Sequence, residues 1–188
     1  MVHAFLIHSL LPGSSKILFQ QVYTQDKDIH SCNDAISQRK QCLLEYAAQV
    51  HSEYQFRRAV IGRSVEEDVQ RIHSDDTLPE FELGFTRLET QDNSSTEKLA
   101  VWLGAGYTCF TLICETSENR MLAESVLKTL IRFLQQYTGL LGNLTETCMK
   151  PERIAVVLDN FLPNGNLIFM NHRVIRQIEK EIDGIFKQ

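Results

Sequence analysis

MVHAFLIHSLLPGSS, residues 1–15, has two readings, and the choice between them decides the fold. An apolar run followed by a Pro-Gly break and small residues is the outline of a secretory signal. Such a signal needs a positively charged start and about 7–15 uninterrupted apolar residues. Here no Lys or Arg precedes Lys16, and His3 and His8 interrupt the run. A β-strand accounts for the same residues. Alternation puts Val2, Ala4 and Leu6 on one face and Phe5 and Ile7 on the other. Turn chemistry follows at Leu11–Ser14, and a second β-rich run, Lys16–Tyr23, makes the pair a hairpin. Because the first strand is apolar on both faces, it is expected inside a sheet, covered on both sides. A strand starting at the initiator Met leaves no room for a cleaved leader, so a cytosolic chain is expected.

Composition agrees with one soluble domain, residues 1–188. The chain is 43% hydrophobic and 23% charged with only 9 Gly and 4 Pro, and is long enough to bury a core without staples. No stretch approaches the ~18 apolar residues of a membrane span. A net charge of −5 argues against a nucleic-acid-binding surface and against unaided binding to anionic lipid. Five cysteines, at positions 32, 42, 109, 114 and 148, are an odd number without a C-x-x-C pair, and read as reduced thiols. Cys109 and Cys114, five apart on a strand, are expected on opposite faces. The sequons at Asn93 and Asn143 are chance matches in a cytosolic chain.

Beyond the hairpin, a helix is expected from about Asp34 to Ile61, with Ile36, Leu43, Ala47, Val50, Tyr54 and Ile61 on its buried stripe. Ser64–Glu67 has the form of a capping box opening a short helix through Val69 and Ile72, and Asp75–Glu80 is an acidic loop. Three strands follow: Phe81–Phe85, Lys98–Leu103 and Tyr107–Cys114, the last two joined around Gly104-Ala-Gly106. Five strands imply one antiparallel sheet, an α+β fold. A helix at Met121–Gly139 has an apolar arc of about half the wheel: Leu122, Val126, Leu130, Phe133 and Tyr137, widened by Leu127, Ile131 and Leu134. Further helices are expected near Lys150–Phe161, burying Ile154, Val157, Leu158 and Phe161, and at His172–Phe186, with Val174, Ile178, Ile182 and Ile185 inward. Pro163-Asn-Gly165 turns the chain between them.

The residue patterns offer no catalytic constellation. Gly104-Ala-Gly106 begins like a dinucleotide fingerprint, yet lacks the third glycine and precedes a strand rather than a helix. The six His show no metal-ligand spacing, and the acidic runs Glu66–Asp68 and Asp75–Asp76 lack the calcium-loop pattern. Ser125 lies within a helix rather than on a strained elbow, and Arg57–Arg58 near a helix C-terminus complement its dipole. An enzyme is therefore not expected, and no cofactor is.

The element order resembles the longin fold of vesicle-coat adaptor small subunits and trafficking SNAREs. The tail is more specific: Leu158–Leu162, then Gly165, Leu167 and Asn171 ahead of an amphipathic helix, resembles the ending of sigma subunits. Met1–His8, Val101–Gly104, Leu122–Ser125, Arg153-Ile154, Phe161–Pro163, Phe169 and Glu179–Glu181 extend the likeness along the chain. On these strings the chain resembles the sigma-subunit family of adaptor-protein complex 5, least between Leu10 and Lys98. The resemblance implies a longin-like single domain and a non-catalytic small core subunit of a heterotetramer with zeta, beta and mu subunits. It also implies action with spatacsin and spastizin, sorting of protein cargo, and a peripheral place on late endosome and lysosome membranes. No dileucine-pocket residue carries over, because the middle of the chain diverges. An alternative reading is a longin-type subunit of a GTPase regulator or exchange-factor complex. A longin SNARE would continue into a heptad coiled coil and an anchor, which this chain is not expected to have.

A partner surface follows from the wide arc of the helix at 121–139. One sheet face should not need half a helix, and the final helix adds Ile175 and Phe186 at the margins of its stripe. Leu127, Ile131, Phe133, Leu134, Ile175 and Phe186 are therefore expected to face a large subunit.

Overall fold

The first strand does sit inside the sheet. A computed structural model describes residues 1–13, 15–23, 32–62, 81–89, 97–141 and 151–187. In it, β1 (Val2–Ser9) lies between β2 (Ile17–Val22) and β5 (Thr108–Glu115), followed by β4 (Lys98–Ala105) and the edge strand β3 (Glu82–Leu88). Every neighbouring pair is antiparallel, in the order β2-β1-β5-β4-β3. The helices are α1 (Cys32–Ile61), α2 (Arg120–Thr138), α3 (Pro151–Phe161) and α4 (His172–Phe186), with a 3-10 turn at Pro163–Gly165. This is an α+β fold, consistent with a longin-like domain.

The elements begin and end where local chemistry dictates. Asn119 caps α2 by accepting from the Leu122 N–H at 3.1 Å, and Gly139 closes it in the left-handed region at φ +64°. Asn171 accepts from the N–H groups of both Arg173 and Val174, which starts α4. Ala105 and Thr108 pair across a two-residue turn, Gly106-Tyr107, with Gly106 at φ +58°. The Gly104–Gly106 stretch is thus a hairpin.

Two cores share the sheet. On one face Phe5, Ile7, Leu103, Phe110 and Leu112 pack against α2, α3 and α4; on the other Leu6, Trp102, Cys109 and Ile113 pack against α1. Cys109 and Cys114 fall in different cores, as their spacing requires. Each fully buried Leu, Ile or Phe contributes roughly 1.5–3 kcal/mol relative to exposure.

Three expectations are corrected. Val2 joins Phe5 and Ile7, not Ala4 and Leu6. The pairing with β5 shifts between Val2 and Ala4, and a bulge there moves one residue to the opposite face. Ile36 and Ile61 of α1 are 46% and 57% exposed, because they lie near the ends of a 30-residue helix that outruns the sheet beneath it. Ile185 is 48% exposed: α4 buries Ile178 and Ile182, and Ile185 lies in its last turn. The expected pieces at Ser64–Ile72 and Asp75–Glu80, most of the loop at Glu89–Glu97, and Cys148 lie outside the described residues.

Candidate partner interface

The broad apolar arc of α2 is used within the chain. Leu127, Ile131, Phe133 and Leu134 are all buried. One side of α2 lies on β4 and β5, and α3 packs on its back, with α4 against α3. The Phe133 ring meets Phe161 of α3 at 4.8 Å, and Tyr137 meets Phe133 at 6.1 Å and Phe186 of α4 at 5.4 Å. The Tyr137 hydroxyl donates to Asp183 Oδ1 at 2.8 Å, fixing α4 to α2. The exposed patch expected from the sequence is therefore corrected: a second helical layer from the same chain fills the arc that one sheet face leaves over. Ile175 and Phe186 remain partly buried at the rim of this layer, with Arg153 stacked on the Phe186 ring at 5.6 Å.

The surface that stays apolar lies elsewhere. α1 buries Leu43, Tyr46, Ala47, Val50 and Tyr54, yet its outer side carries Leu44, Phe56 and Val60, all exposed, Phe56 at 67%. The sequence held this signal, because apolar residues occur on both sides of the Asp34–Ile61 helix; tracing a single stripe passes over the second.

Between α1 and the edge strand β3 runs an open groove of about 560 Å³, lined by Ala48, Gln49, Ser52, Glu53, Thr86, Arg87 and Glu89. Behind Thr86 of that lining lies Trp102, fully buried. The indole lies across Gly84, where an added Cβ would collide with the ring. The indole N–H donates to Thr86 Oγ1 at 2.9 Å, and the Arg57 guanidinium stacks on the ring at 5.2 Å. Arg57 also donates to Glu53 at 2.7 Å and to the Leu83 carbonyl at 2.9 Å. Arg58 is buried with its guanidinium over the Tyr54 ring at 5.6 Å. Both arginines are thus built into the α1 side.

Several of the reactive side chains are withdrawn from solvent. Burial pushes the Cys109 and Cys114 thiols up to about 12, far from the thiolate that nucleophilic attack or metal binding requires. His8 is fully buried, 3.1 Å from Thr111 Oγ1, and burial lowers its pKa to about 4, so the ring is neutral at pH 7. Ser125 is exposed on α2, its carbonyl accepting from Thr129. Among the described residues no group of His, Cys, Asp and Glu is placed to hold a metal ion, and no helix is long and apolar enough to cross a membrane.

The sequence model of the family described as AP-5 complex subunit sigma-1 matches residues 1–183. A human protein named AP-5 complex subunit sigma-1 is 32% identical over 197 aligned positions, covering 98% of this chain and 98% of the human one. A mouse protein of the same name is 31% identical over 160 positions, covering 78% of this chain and 94% of its own.

Proposed function

This chain belongs to the AP-5 complex sigma-1 family, and from that membership we propose that it is the non-catalytic small core subunit of a heterotetrameric adaptor, with zeta, beta and mu subunits as its partners. Residues 1–188 act as one longin-like domain. The complex works with spatacsin and spastizin in vesicle-mediated protein sorting, held peripherally on late endosomes and lysosomes from the cytoplasmic side. The observation that carries this reading is the family match over residues 1–183, on a chain whose sheet and helices are consistent with a longin-like domain. Buried, protonated thiols and a buried neutral histidine support a structural role over catalysis. Ile175 and Phe186, on the rim of the three-helix layer, face a large subunit; Leu127, Ile131, Phe133 and Leu134 serve that contact by holding the layer together.

Affinity purification of the tagged chain from the cells that make it, with partners identified by mass spectrometry, tests the proposal. Two large helical-repeat subunits and a medium subunit in near-equal amounts are expected. Recovery of a small GTPase in their place would transfer the chain to the exchange-factor class, and a lone monomer would end the adaptor reading.

A further inference from the structure

We propose that the outer edge of β3 is a strand-addition site, which takes an extended segment of a partner chain as a sixth strand of the sheet. The pairing of β3 with β4 runs without a shift from Glu82↔Gly104 to Leu88↔Lys98, so its backbone groups alternate strictly between β4 and the open side. The Leu83 carbonyl accepts from Arg57 of α1 and therefore points outward. Counting across the sheet agrees. Tyr107 and Glu115 bond toward β1, so Phe110 bonds to its β4 partner Leu103, and Leu83, opposite Leu103, is left facing out. Phe85, Arg87 and Glu89 share that direction.

The two ends of this edge are capped and, among the described residues, its middle is not. Arg57 occupies the Leu83 carbonyl at 2.9 Å. Gln49 donates to the Glu89 carbonyl at 2.9 Å and accepts from its N–H at 3.1 Å, the two-point pairing a strand residue would make. Between these caps, the N–H and C=O groups of Phe85 and Arg87 have no partner among the described residues. Two outward donors and two outward acceptors at this spacing are matched by an extended backbone.

The surroundings define the occupant. On the α1 side the groove is lined by the small residues Ala48 and Ser52, one turn apart. A strand lying there has room beside this small pair. On the other face Leu83 and Phe85 are half-buried at the sheet margin, since α2 packs over β4 and β5. Arg87, which also lines the groove, is exposed, with no ion pair among the described residues. The segment that fits has an apolar residue opposite Phe85 and a carboxylate opposite Arg87. The inference adds a contact to the adaptor reading without resting on it, because any partner with such a segment would serve.

The test is residue-resolved amide exchange on the tagged chain purified with whatever assembles on it in its own cells. The Gly84 and Thr86 amides, in the ladder with β4, give the reference. The Phe85 and Arg87 amides should exchange as slowly as these two. Exchange roughly tenfold faster or more at 85 and 87, in an assembly or in a chain that purifies alone, would overturn the proposal. A second variant guards against misfolding. Arg87→Pro removes only an outward N–H and leaves the β4 ladder intact. It should melt within a few degrees of Arg87→Ala yet lose the protection at Phe85, whereas unchanged protection in Arg87→Pro would contradict strand addition.

Discussion

The two faces of the sheet are covered by different means. On one, α2, α3 and α4 enclose 24 buried residues among those described, nearly all aliphatic or Phe. On the other, α1 is the one described helix and covers 12 of the described residues, and polar groups enter the packing: the buried His8–Thr111 pair, the indole N–H on Thr86, and two arginines stacked on rings. Three helices can surround an apolar layer completely. One helix cannot, so the α1 side completes its coverage with long cationic side chains whose stems lie on apolar surface. The three-helix side should therefore fail by loss of packing, and the α1 side by geometry and pH.

The largest effect is expected at Phe5, in the three-helix core with no exposed surface. Phe5→Asp buries an unpaired charge and should cost about 5 kcal/mol or more, leaving no soluble folded protein. A cooperative thermal transition near the wild-type midpoint would show that this core is not closed.

Next comes the Trp102 wall. Trp102→Ala should cost roughly 3–5 kcal/mol in denaturant titrations, and Gly84→Ala about 1–3 kcal/mol, because the added methyl meets the indole. The double variant should cost clearly less than the sum, since removing the ring vacates the space the methyl needs. Additive losses would separate the two residues and break the account of the α1 side.

A smaller effect is confined to that side by titration of His8. Its pKa is about 4 folded and 6.5 in its ordinary state. Above pH 6.5 the ring is neutral folded and unfolded, and stability is complete. As pH falls from 6.5 towards 4 only the unfolded chain takes up the proton, so stability drops, by about 2 kcal/mol at pH 5. The melting temperature should fall by roughly 5 °C between pH 7.5 and pH 5. His8→Gln should flatten most of that slope. An equally steep slope in His8→Gln would place the acid sensitivity elsewhere.

The smallest effect is expected outside both cores. Phe56→Ser, on the exposed side of α1, should change stability by no more than about 0.5 kcal/mol in the same titrations. A loss several times larger would mean that the outer side of α1 is covered in the isolated chain.

Much of this architecture is legible from local pattern. Both-face apolarity identified β1 as an inner strand, turn residues identified two hairpins, and the 3.6-residue period located α1, α2 and α4 to within a few residues. These are properties of a segment and its nearest neighbours in sequence, and side-chain alternation and helical period report them directly. The rest depended on what lies opposite each face. A bulge between Val2 and Ala4 carried Val2 to the other core, and nothing in the alternation of that strand marks it. The width of the α2 arc said that two surfaces cover it, but only the placement of α3 and α4 decided that both belong to this chain. His8 and Thr111 stand 103 positions apart, and their pairing exists only because β1 lies beside β5. The caps on β3 likewise join Gln49 to Glu89 and Arg57 to Leu83 across elements that share no local signal. The sequence by itself determined which segments are helix and strand and which of their faces are apolar. The tertiary structure decided which described helices cover each face and which strands lie at the edges, because those outcomes are set by contacts between residues that the chain holds far apart.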